Sequence, residues 1–139
     1  KIIGMYSVVY KDSMFFFGGH LSTTHYRQVY EFNFKDVNWN MISTIGAPSP
    51  RSYGCSMLFN DSMYVFGGQA SEVYEDISLL NLKSFEWSPS YQNLSEVKKS
   101  FSVTLYKNTI GVIYGGINDL NVNPSSLLNT IEFYYFNNQ

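Results

Sequence analysis

Three stretches decide the fold: Tyr10-Lys11-Asp12-Ser13-Met14-Phe15-Phe16-Phe17-Gly18-Gly19, Phe59-Asn60-Asp61-Ser62-Met63-Tyr64-Val65-Phe66-Gly67-Gly68 and Tyr106-Lys107-Asn108-Thr109-Ile110-Gly111-Val112-Ile113-Tyr114-Gly115-Gly116. The glycine pairs begin at residues 18, 67 and 115, spacings of 49 and 48. A second marker keeps the same period, since Trp39 follows Gly19 by 20 residues and Trp87 follows Gly68 by 19. Two markers on one period identify a repeat of supersecondary units.

Within a unit, an aromatic or β-branched run ends at a short polar turn, and a second apolar run ends at Gly-Gly. This pattern predicts a β-hairpin, strands a and b. A third run follows at Val29–Phe32, Ile77–Leu80 and Ile131–Tyr134, and the Trp segments supply a fourth. Each unit therefore reads as a four-stranded antiparallel sheet, with units at 1–48, 49–97 and 98–139, the third lacking its last strand. Strand b shows almost no polar alternation, so both faces of each sheet must be covered. Helical periodicity is absent, and the fold class is all-β.

The third unit has one extra residue between Tyr106 and Gly115, which predicts a bulge at Gly111. Its loop after Gly116 is the longest of the three.

Composition narrows the function. The 139 residues are 45% hydrophobic, 18% aromatic and only 14% charged, which excludes a disordered chain. A net charge of -2 with only two arginines offers no basic surface for a phosphate backbone, so nucleic acid is not an expected partner. No apolar run approaches the ~20 residues of a membrane span. Cys55 is the sole cysteine and cannot form an internal disulfide; it shares parity with Met57 and Phe59, as a small buried hydrophobe would. With no leader-like start, a cytoplasmic protein is expected.

Gly-Gly closing strand b, the downstream aromatic strand and the Trp near position +20 resemble the kelch repeat. The resemblance implies a kelch β-propeller of roughly three blades, part of a larger, six-bladed ring. The family's Arg before strand a appears as Arg51; Lys98 and Ile2 occupy the corresponding places. Gly18, Gly19, Gly67, Gly68, Gly115 and Gly116 are then structural, and Trp39 and Trp87 are expected to fill equivalent spaces between blades.

Propellers close with four to eight blades. The remaining blades of a longer chain of ~290 residues, or a second copy, are therefore expected partners; an open arc is the third possibility.

Some kelch propellers are copper oxidases with tyrosine, histidine and a tyrosine–cysteine link. Here His20 and His25 share one loop, whereas an axial metal would draw ligands from several blades. Asp12, Asp61 and Asn108 recur at the a–b hairpins as turn formers. No catalytic residue, metal ligand or cofactor site is expected.

The resemblance implies a protein-interaction module that presents a partner or substrate protein. The alternatives are a catalytic kelch propeller (oxidase, epimerase or cyclase) and a regulatory propeller fused to a phosphatase domain. Because strands a and b are antiparallel, the d–a and b–c connections share one face. That face gathers His20, His25, Tyr26, Arg27, Arg51, Gln69, Glu72, Tyr74, Asn118 and Asp119. Tyr26, Arg27, Arg51 and Tyr74 are the expected anchors, with bracing of its own turn as the alternative role for Arg51 and packing under its loop as that for Tyr74.

Overall fold

Each apolar run of the repeat becomes a strand. The computed structural model describes residues 1–136. The first sheet is formed by β1 (Tyr6–Tyr10), β2 (Ser13–Phe17), β5 (Val29–Asn33) and β6 (Asn38–Ile42), in that spatial order. Between β2 and β5 lies a two-stranded ladder of β3 (His20–Leu21) and β4 (Thr24–His25). The second sheet is β7 (Cys55–Phe59), β8 (Ser62–Gln69), β9 (Val73–Asn81) and β10 (Trp87–Pro89). The third is β11 (Ser102–Tyr106), β12 (Ile110–Tyr114) and β13 (Ile131–Tyr135). All pairings within the three sheets are antiparallel, and a single 3₁₀ turn at Pro124–Ser126 interrupts the long loop.

Two-residue turns join β1 to β2 and β7 to β8, with Lys11 and Asn60 at positive φ. The third hairpin loop has three residues, Lys107–Thr109, between the paired Tyr106 and Ile110. The extra residue therefore lies in this turn, where Lys107 and Asn108 both take positive φ and Thr109 N–H returns to Tyr106 O at 3.2 Å. This corrects the expected bulge at Gly111, which pairs in register with Leu105 and Tyr134. A turn accommodates an insertion without breaking ladder bonds, whereas a bulge leaves a residue unpaired.

Strands β1, β7 and β11 lie side by side, so the sheets fan outward from their first strands. Each gap between sheets is an apolar layer. Tyr6, Val8, Phe15, Phe17 and Val29 of the first sheet meet Met63, Val65, Leu80 and Trp87 of the second. The opposite face of the second sheet offers Met57, Phe59, Tyr64, Phe66 and Ile77 to Ile113 and Tyr134 of the third, with Phe136 just beyond it. Strand β8 supplies both layers, which is why Ser62–Gln69 reads as a continuous apolar run.

The two tryptophans differ. Trp87 is 9% exposed, its ring centroid 4.7 Å from that of Phe17, and its Nε1–H donates to Thr44 Oγ1 at 3.2 Å. Trp39 is 60% exposed, its ring against Phe16 and Phe32 of its own sheet. The expected packing between blades is seen at Trp87, while Trp39 keeps the equivalent register position, opposite Phe32 as Trp87 is opposite Leu80. Both rings point toward the preceding unit, and among the described residues only Trp87 has one. Trp87→Ala should cost ~3–5 kcal/mol. Trp39→Ala should cost under about 1 kcal/mol, as substitutions outside the core usually do. Urea unfolding followed by circular dichroism checks both; equal losses would contradict the assignment.

Candidate partner-binding face

The d–a segment of each unit crosses the exit of the preceding strand b, and this crossing builds the face. Gly19 N–H donates to Arg51 O at 2.8 Å, and Arg51 N–H to Tyr26 O at 3.1 Å. One unit further, Gly68 N–H donates to Lys98 O at 3.0 Å and Lys98 N–H to Tyr74 O at 3.1 Å. The next residue forms an isolated bridge: Ile3 to His20, Ser52 to Gln69, Lys99 to Ile117. This bonding holds His20, Tyr26, Gln69 and Tyr74 beside the crossings, with His25 opposite His20 and Asn118 next to the bridged Ile117, while Arg27, Glu72 and Asp119 are exposed.

Arg51 is 2% exposed. Its Nη1 lies 2.8 Å from Asp76 Oδ1 and 3.4 Å from Gly67 O, and its Nε donates to Ser49 O. The guanidinium stacks over the Tyr74 ring at 4.3 Å. A cation spent on these partners is unavailable to a ligand, so Arg51 is corrected from surface anchor to internal brace. Lys98, fully buried, does the same with Glu132, two register positions further along strand c than Asp76. Tyr74 is half-buried beneath Arg51, and burial holds its phenol above the ordinary value.

Residues absent from the sequence-based site complete the surface. Gly4, Tyr53 and Ser100 occupy one position in successive units, all with positive φ (68°, 60° and 52°), linked by Tyr53 N–H to Gly4 O at 3.0 Å and Ser100 N–H to Tyr53 O at 2.6 Å. An aromatic residue in the left-handed region is strained. Glycine in the first unit was the signal that could have flagged Tyr53. The Tyr53 hydroxyl meets His20 Nε2 at 2.9 Å, while His20 Nδ1 lies 2.9 Å from Ser22 O. A carbonyl only accepts, so Nδ1 carries a proton and donates to Ser22 O.

His20 and His25 are directly opposed on β3 and β4, with rings stacked at 5.3 Å. Desolvation, then the neighbouring His20, hold His25 below the ordinary imidazole value. Among the described residues no third His, Cys, Asp or Glu joins them in a metal-binding group. Cys55 turns toward the third unit, where its Sγ contacts Phe101 O, and burial raises its thiol to about 11. Lys99 is buried too, bonded to Gln69 Oε1 and to Leu120 O at 2.9 Å, tying β8 to the long loop.

On the opposite side, carboxylates are already paired. Asp12 meets Lys35 at 2.6 Å and Asp61 meets Lys83 at 2.5 Å; Asn33 and Asn81 cap the adjoining turns through their side chains.

The chain belongs to the kelch-repeat family: residues 3–138 match the KLHDC2/KLHL20/DRC7 Kelch-repeats domain. The three sheets are consistent with blades of a kelch β-propeller, a domain that generally serves as a protein-interaction module. Similar proteins include the leucine-zipper-like transcriptional regulator 1 homolog of Drosophila melanogaster, 31% identical over 97 residues, which are 68% of this chain and 10% of that protein. Tip elongation aberrant protein 3 of Schizosaccharomyces pombe is 37% identical over 93 residues, 60% of this chain and 8% of that protein. Human Kelch domain-containing protein 10 is 30% identical over 93 residues, 63% of this chain and 21% of that protein. The chain thus spans a small part of each relative.

Arg51→Ala should cost about 2–3 kcal/mol, because Asp76 and the Gly67 carbonyl lose their donor while Asp76 keeps partial access to water. Chemical denaturation measures it, and a loss below 0.5 kcal/mol, the scale of ordinary surface changes, would show that Arg51 braces nothing.

The His25 shift gives a pH test. Since the folded state favours neutral His25, its contribution is present above the ordinary His value and declines as pH falls through it. Thermal midpoints should drop between about pH 7 and pH 5, and His25→Gln should lessen the drop. Identical slopes would oppose the reading.

Proposed function

We propose that this chain is a partner-binding part of a kelch propeller, holding a partner or substrate protein on the face formed by its b–c and d–a connections. The observation that carries the reading is Tyr53. It keeps an aromatic ring at a backbone position that strains a side chain, where the first unit has glycine, and its hydroxyl fixes His20 at the centre of this face. Strain of this kind clusters at functional sites. Tyr26, Arg27, Tyr74 and Tyr53 then act as anchors, with His20, His25, Gln69, Glu72, Asn118 and Asp119 as polar contacts. Aromatic residues and arginine are the usual energetic centres of such surfaces. The lone Cys55, a half-buried free thiol, fits a reducing, cytoplasmic setting.

The test separates binding from folding. Tyr53→Gly should leave stability unchanged or raise it by up to about 1 kcal/mol through relief of strain. The same change should weaken partner capture at least about tenfold, or 1.4 kcal/mol. Alanine at Asp12 and Asp61 should leave capture unchanged. Loss of binding at those hairpins with an intact Tyr53→Gly response would assign the partner to the other face.

The propeller also needs further blades, from a longer chain or a second copy. Val9, Trp39 and Met41 at one end, and Ile131, Phe133 and Tyr135 at the other, are each more than half exposed. Apolar faces of this kind mark surfaces that pair with another protein surface. Light scattering on the 139 residues should show self-association, and a cooperatively unfolding monomer would contradict this.

A further inference from the structure

Two serines precede a proline, Ser49-Pro50 and Ser88-Pro89. Protein kinases take serine in exposed, extended segments, and the residue before a proline is held away from helical backbone. Ser88 lies in β10 opposite Leu79, beside the buried Trp87. Ser49 is exposed, in the linker between β6 and Arg51. Main-chain bonds hold both ends of that linker, Ile45 N–H to Phe85 O and Arg51 N–H to Tyr26 O, but no main-chain group of residues 46–50 is bonded to another. Ser49 is therefore the serine that a kinase can draw into its cleft without breaking a strand.

Beside this free stretch lies a buried cation with one edge unfilled. Arg51 Nη1 is held by Asp76 Oδ1 and Gly67 O, and Nε donates to Ser49 O at 3.1 Å. A guanidinium is planar, so the edge that carries Nε–H also carries one N–H of Nη2, parallel to it. That edge is turned to the serine's own residue, and among the described residues Nη2 meets no acceptor. An arginine only 2% exposed thus keeps a donor without a partner on the side of an exposed hydroxyl. An anion with several oxygens satisfies it.

The next unit already has a negative side chain at this place. Glu96 stands two residues before Lys98, as Ser49 stands two before Arg51. Its Oε2 accepts from Asn118 Nδ2 at 3.4 Å, which ties that linker to a neighbouring loop.

We propose that Ser49 is a phosphorylation site for a proline-directed protein kinase, and that its phosphate seats on the Nε and Nη2 edge of Arg51. The kinase transfers the γ-phosphoryl group of ATP: the bond from the γ-phosphorus to the bridging oxygen breaks, a bond to Ser49 Oγ forms, ADP leaves, and the hydroxyl proton passes to the kinase's carboxylate base. The product carries a charge of about -1.5 to -2 and three strong acceptor oxygens. Parallel, charge-assisted bonds to the guanidinium then fasten residues 46–50 onto the brace. Arg51 remains internal, completed by an anion of its own turn. The proposal does not depend on which partner, if any, the face takes.

The test incubates the protein with ATP, magnesium and each of two purified proline-directed kinases, one mitogen-activated and one cyclin-dependent, and locates phosphate by mass spectrometry. Modification of Ser49 and not of Ser88 is expected from at least one of them; no phosphate at Ser49, or equal modification of both serines, would overturn the site. Phosphorus NMR of the modified protein then follows the second ionisation of the phosphoserine. Contact with a guanidinium favours the dianion, so the midpoint should fall below the value of about 6 for an unpaired phosphoserine. Arg51→Lys keeps a cation for Asp76 but removes the second donor edge, and should return the midpoint to that of a phosphopeptide of residues 46–50. Should Arg51→Lys fail to fold, the phosphopeptide alone is the reference. A midpoint in the folded protein equal to that of the peptide, or one left low by a folded Arg51→Lys, would overturn the seat on Arg51.

Discussion

The structure depends on one backbone crossing, repeated at each junction between units. Where strand b ends, the next unit's incoming segment passes so close that a Cβ at Gly18 would lie 2.5 Å from Arg51 O, and one at Gly67 2.6 Å from Lys98 O. Only glycine permits that approach. In exchange, N–H groups that strand b would leave unpaired are satisfied by the next unit. The crossing is thus hydrogen bond and spacer together: it sets how near consecutive sheets come, brings β1 against β7 and β7 against β11, and closes the apolar layers between them. Without it the sheets would share hydrophobic faces but no fixed register.

A tight crossing traps whatever side chain precedes it. Arg51 and Lys98 sit there, and a buried cation must find an anion. Each takes a carboxylate from strand c of its own sheet, Asp76 or Glu132. Burial alone would push Glu132 upward, but bonds from Lys98 and from Ser95 N–H outweigh it and leave the carboxyl below its ordinary value. Loops braced from beneath hold His20, Tyr53 and Arg27 at small conformational cost, which is what the proposed binding face would need. The other side has its charges neutralised locally by Lys35 and Lys83, which leaves less for a partner to engage.

Much of this was legible in the sequence because repetition reports what each unit cannot do alone. The period of Gly-Gly and Trp gave the sheets, and antiparallel order gave the shared face of loops. What stayed hidden was contact across the period. Arg51 looks like a surface anchor until Asp76, 25 residues away, is found beside it. Tyr53 carries no local mark, since the bond its N–H makes to Gly4 O reaches into another unit. Gly111 resembled a bulge because residue counting cannot tell a longer turn from a disrupted strand. Trp39 matched Trp87 in spacing, yet burial of a ring depends on the neighbour rather than on the position.

That last contrast exposes a polarity in the stack. Trp87 faces backward into the layer shared with Phe17, and Trp39 faces backward as well, over Phe16 and Phe32. The forward layer is instead built on Phe59 and Phe66 against Tyr134 and Phe136. One end of the chain therefore presents an indole face, and the other presents Ile131, Phe133 and Tyr135. These are the two halves of one kind of interface, already assembled twice within the molecule. Because each unit contacts only its neighbours, the two junctions obey one rule. Its requirements are a Gly-Gly exit, a braced incoming segment, and a backward-facing aromatic ring received by the forward face before it.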